Sequence, residues 1–123
     1  MTVLNENYSL NLGATMYVKP RTKRTNPTAK QIKAMAKETL RLIEMFQPHA
    51  KLAGMINEQL TKSGAPDRMQ LVPVGRMYAI SNWKTQGRIP YHYAVEAVKI
   101  PAVQAAGFTI NTLRPDVGAG DVV

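Results

Sequence analysis

The side chains best suited to recognising another molecule are concentrated in one run, VGRMYAISNWKTQGRIP, at residues 74–90. If 76–85 is helical, Ala79, Ile80 and Trp83 form an inward face that can hold the helix to a core. Arg76, Met77, Tyr78, Ser81 and Asn82 then form an outward face. Arginine matches the two acceptors on a guanine edge, and asparagine matches the donor–acceptor pair of adenine. Lys84, Thr85, Gln86 and Arg88 follow at the helix end and the next turn. Their charges and donors suit phosphates, which position a protein on nucleic acid without specifying sequence. The chemistry implied is recognition of base edges in a major groove by a short helix. The charge balance agrees: 16 lysines and arginines against 8 acidic residues give a net +8, a surplus that favours a polyanionic partner.

Other chemistries find little support. There are no cysteines and two histidines, His49 and His92, far apart in sequence and in no spaced ligand cluster. Neither a metal nor a cofactor is expected. No paired carboxylates, glycine-rich phosphate loop or nucleophile–histidine pair stands out, so the chain does not read as an enzyme. An RNA-stacking platform would need aromatics on a sheet, and the chain has little strand pattern. No apolar run approaches a membrane span, and no basic region followed by an apolar block marks a signal peptide. The expected location is the cytoplasm of a bacterial host, in association with the nucleoid.

A mainly α-helical fold must position the reading residues. Residues 1–26 read as an N-terminal arm and basic linker. Tyr8, Leu10 and Leu12 alternate with Ser9 and Asn11, which predicts a short strand. KPRTKRTN, at 19–26, carries four positive charges and suits phosphates or a minor groove. A helix is expected over 27–47, capped by Asn26, with Ile32, Met35, Ala36, Leu40, Ile43 and Phe46 as its apolar stripe. A second helix, 48–63, has Leu52, Ala53, Ile56 and Leu60 inward, and Gly64 stops it. A short helix is expected over 66–73, ahead of the reading helix at 76–85, which Gly87 ends. Further helical pieces are expected at 91–99, with Ala94, Val95 and Val98 inward, and at 102–106, which Gly107 ends. Residues 108–117 are mixed, and 118–123 read as a flexible tail.

AISNWKTQGRIP resembles the recognition helix and following turn of phage Cro-type and YdaS-like helix-turn-helix regulators. LRPDV, at 113–117, resembles the ending of YdaS-like domains. The two lie in the family's order at about its separation, and the resemblance covers residues 50–117. It implies a compact lambda-repressor-like helix-turn-helix domain over 48–117, with an N-terminal extension. It also implies base contacts from Met77, Tyr78, Ser81 and Asn82, with Arg76 at the helix start. Ile80 and Trp83 match structural positions. Three residues depart from the pattern: Gln70 where a small residue is usual, Pro73 where a leucine is common, and Val74 where the turn carries glycine.

These readings lead to a sequence-specific DNA-binding transcriptional regulator of phage or prophage type, a repressor or Cro-like switch. It would bind double-stranded DNA as a homodimer. The N-terminal strand and the helix over 27–47 are the candidate dimerisation elements. The alternative is an antitoxin or phage protein-binding module that sequesters a protein partner through the N-terminal region.

Overall fold

Why these residues form helices is visible at their ends. In the computed structural model, which describes residues 17–71 and 78–117 (Tyr78 by its backbone only), α1 spans Ala29–Met45. Its cap is Thr28, whose hydroxyl accepts from the Gln31 amide, while the Gln31 side chain accepts from the Thr28 amide. This reciprocal box satisfies two amides that a helix start leaves without partners. The expected cap, Asn26, is therefore corrected to Thr28, and Pro27 precedes the cap.

The buried side of α1 is Met35, Thr39, Leu42, Ile43 and Phe46. Ile32 and Leu40, expected on the apolar stripe, are 52% and 36% exposed, and Ala36 is exposed as well. A stripe drawn through all six expected residues was wider than the contact that α1 makes. Thr39, which hydropathy alone would place outside, is fully buried.

α2 spans His49–Lys62 with Pro48 at its cap, and buries Leu52, Ala53, Ile56 and Leu60, the four residues read as its apolar stripe. Gly64 follows at φ +78°, a left-handed conformation that a side chain would strain. The helix expected over 66–73 is reduced, in its described part, to a single 3₁₀ turn, Asp67–Met69. Beyond it Leu71 is buried.

α3 spans Tyr78–Gln86, and Gly87 ends it at φ +76°. α4 spans Tyr91–Ala97 with Pro90 as its cap, and buries Tyr91, Ala94, Glu96 and Ala97. Val95 and Val98, expected inward, are only half-buried. α5 spans Pro101–Ala105, with Pro101 as its first residue. The mixed segment after it contains a sixth helix, α6, Ile110–Leu113, closed by a Thr109–Thr112 capping box.

The described residues are mainly helical and contain no strand. α1 packs against α3 and α6, and α2 packs against α4, which also touches α6. One cluster of buried side chains joins all of them, from Leu42 and Phe46 through Leu52, Ile56, Ile80 and Trp83 to Phe108 and Leu113. The helix over 27–47 thus shares the core of the region that follows it. No described helix is long and apolar enough to cross a membrane. The strand expected at 8–12, Pro73, Val74 and Gly75 of the turn, and the tail at 118–123 lie outside the described residues.

Candidate nucleic-acid interface

α3 divides into two faces. Ile80 and Trp83 are 1% and 3% exposed, and Ala79 packs partly against the same core. Ser81, Asn82, Lys84, Thr85 and Gln86 are exposed, as is Arg88 in the turn beyond. Spacings of three and four residues put Ser81, Asn82 and Thr85 on one side of the helix. Three hydroxyl or amide groups therefore stand together on a helix whose opposite side is held by a buried tryptophan. Arg76 and Met77, and the side chain of Tyr78, lie outside the described residues.

Contacts at both ends of the helix and beside it position α3. The Trp83 ring sits 5.5 Å from the Tyr93 ring of α4, centroid to centroid. The Tyr93 hydroxyl in turn donates to the Met69 carbonyl at 2.6 Å, so one side chain ties the 3₁₀ turn, α3 and α4 together. Burial pushes the Tyr93 hydroxyl pKa up, which keeps it a donor at neutral pH. At the far end, Gly87 lies so close to α1 that a Cβ there would stand 3.1 Å from Ala36 Cβ. On the approach to α3, Asn57 of α2 grips the backbone of Leu71 both ways. Its amide donates to the Leu71 carbonyl at 2.6 Å, and its carbonyl accepts from the Leu71 amide at 2.7 Å.

The tail LRPDV is part of the same structure. Arg114 is 7% exposed. It pairs with Asp116 through two bonds, Nε to Oδ1 at 2.9 Å and Nη2 to Oδ2 at 2.7 Å. Its remaining nitrogen, Nη1, donates to the Ile89 carbonyl at 3.1 Å. Asp116 also accepts from the Thr25 hydroxyl at 2.6 Å, and the Gln31 amide group donates to the Pro115 carbonyl at 3.2 Å. Burial alone would raise the Asp116 pKa, but the bonds from Arg114 and Thr25 outweigh it and hold the carboxyl below its ordinary value.

Thr25 belongs to the basic segment at 19–26, so this strap fastens that segment beside the turn that ends α3. An open cleft of about 420 Å³ lies there, lined by Lys23, Arg24 and Thr25 of the arm, by Gln86 and Arg88, and by Arg114. Further back, the same segment passes α4. The His92 imidazole is held below its ordinary pKa, first by burial and then by the charge of Lys19.

Ser81, Asn82, Lys84, Thr85 and Gln86 stand exposed on α3 and Arg88 in the turn after it, and Lys23 and Arg24 of the arm share a cleft with Gln86 and Arg88. Sequence reasoning named the arm as basic but did not connect it to α3, and it took the tail only as a likeness. The available signal was the arginine–carboxylate spacing of Arg114 and Asp116 in an otherwise apolar stretch. Neither histidine joins a metal cluster, and the described residues contain no group of three or more ligand side chains that could hold a metal. Comparison with protein-family models, curated proteins and solved structures returned no match for this chain.

Proposed function

We propose that this protein is a sequence-specific DNA-binding regulator of the helix-turn-helix kind, with α3 as the helix that enters the major groove. The observation that carries the reading is the construction of α3. Its inner side is locked by Trp83, while Ser81, Asn82 and Thr85 stand exposed on the outer side, next to Lys84 and Arg88. Among the described residues neither of those cations takes part in an ion pair. A rigid helix with small polar side chains outward and free cations at its end can offer hydrogen bonds to base edges and charge to the flanking phosphates. Asn82 is the residue assigned to adenine, through its two-bond match. Regulation follows from occupancy: a protein bound across a promoter excludes polymerase.

The test is selection of sites from a random duplex library, followed by titration of the selected site with unrelated DNA as competitor. Asn82→Ala should keep the fold and lose about 1–3 kcal/mol of discrimination at one position. Arg88→Gln should instead weaken all duplexes alike and lower the salt slope by about one. Unchanged base preference in the Asn82 variant would remove that residue from the reading face. If no duplex outlasts competitor DNA, the regulator reading is lost.

A further inference from the structure

The basic segment is held against the domain where it meets the turn after α3. Thr25 bonds to Asp116, Asp116 to Arg114, and Arg114 to the Ile89 carbonyl. The cleft between them gathers Lys23 and Arg24 from the arm and Arg88 from the turn. Among the described residues no acidic side chain lines it, and no ion pair engages any of these three cations. Arg114, which also lines the cleft, is already matched by Asp116, so its charge is spent within the fold.

Folding alone gives no reason for this arrangement. Three like charges around one opening repel each other, and the strap at Asp116 maintains their proximity. An anion with several acceptor oxygens reverses the sign of that energy, since charge-assisted bonds from guanidinium and ammonium groups are among the strongest available to a side chain. Gln86, which also lines the cleft, offers a neutral amide donor of the kind that also contacts DNA backbones, while the Thr25 hydroxyl proton is already given to Asp116. The cleft adjoins the C-terminal end of α3, where the flanking strand would pass if α3 lies in a major groove.

We infer that this cleft seats a backbone phosphate of the duplex, and that the strapped arm follows the same strand outward. The inference rests on the reading of α3 proposed above. The strap makes the arm a pre-positioned wall of the interface, so that less ordering remains to be done on binding.

The experiment compares the full chain with a Lys23→Gln/Arg24→Gln variant, both residues being exposed and outside the core. Binding to the selected duplex and to unrelated duplex is measured across a salt series, and a separate titration uses inorganic phosphate, followed by the NMR signals of the Arg24 and Arg88 side chains. Loss of this one phosphate seat should flatten the logarithmic salt slope by about 0.9. Between about 50 and 200 mM salt, the parent chain should then lose roughly 3.5-fold more affinity than the variant. The preference for the selected site should be retained. If the parent chain prefers its site and the variant has the same slope, the cleft is not a phosphate seat, while the reading of α3 stands. If the parent chain prefers no duplex but inorganic phosphate moves the arginine signals, the cleft takes a free anion. The inference then fails together with the DNA reading.

Discussion

Asp116 and Arg114 hold opposite charges in a space that water barely reaches, with side chains 0% and 8% exposed. Two such charges stabilise only when their remaining bonding capacity is met, because each was better solvated in water. Here Thr25 and the Ile89 carbonyl supply those bonds. Removing one partner leaves the other charge buried, so Asp116→Asn should cost about 3 kcal/mol in urea unfolding at neutral pH. The pH dependence has a definite sign. The Asp116 pKa is depressed in the native state, so as pH falls past about 4 the unfolded chain takes up the proton first. The stabilisation is complete above that value and disappears as pH falls through the lower native pKa. The gap between parent and variant should therefore close in acid, and a gap that is constant with pH would show that the carboxylate charge is not what stabilises. The contact of Asp116 with Thr25 is also the least legible part of the sequence. Ile80, Trp83 and the apolar residues of α2 follow from a 3.6-residue period, whereas Thr25 and Asp116 meet across 91 positions. No periodicity carries a contact of that range.

At the scale of elements, helix ends were harder to read than helix existence. Asn26 and Thr28 are both good caps, and proline after Asn26 made the first choice attractive. The deciding signal was Gln31, three residues beyond Thr28, which completes a capping box that Asn26 cannot form. The 3₁₀ turn at Asp67–Met69 was read as a longer helix because Met69 and Leu71 are apolar. They join the core from a 3₁₀ turn and the residues after it, whose backbone is held by the Asn57 clamp and the Tyr93 hydroxyl. The end of α3 was legible, since glycine after a periodic run marks a left-handed stop. What the sequence does not reveal is that Gly87 also touches α1. Gly87→Ala would force a side chain into φ +76° and place its Cβ 3.1 Å from that of Ala36. The backbone alone costs about 1–2 kcal/mol, and the contact adds to it. Thermal unfolding should show a lower midpoint, and a double-mutant cycle with Ala36→Gly, which itself costs about 1 kcal/mol in a helix, should recover the contact part as the coupling between the two sites. A Gly87→Ala loss no larger than the backbone cost, with no coupling to Ala36, would mean that α1 does not press on the end of α3.

Under the proposed function, the whole molecule sets how much sequence it can read. The described part of α3 has nine residues, so it is about 13 Å long. Along a duplex that rises 3.4 Å per base pair, it passes roughly four pairs. At about 1–3 kcal/mol per mismatched pair, four pairs separate a site from random DNA, yet such a site recurs roughly once in 256 pairs. One copy of α3 is therefore too short a reader for a promoter switch. Two copies related by a twofold axis would square that selectivity, and they would demand half-sites about 34 Å apart, centre to centre. The exposed Ile32 and Leu40 on α1 leave apolar area on the surface, although the pairing itself is argued from the length of α3. The expected outcome of site selection is an inverted repeat with its halves about ten base pairs apart. Sedimentation of the complex should then show two chains per duplex, and cutting the repeat to one half should reduce affinity far more than twofold. A selected site with no internal symmetry, bound by one chain, would instead require the arm to supply the missing specificity. Its cations would then have to reach base edges and not only phosphates.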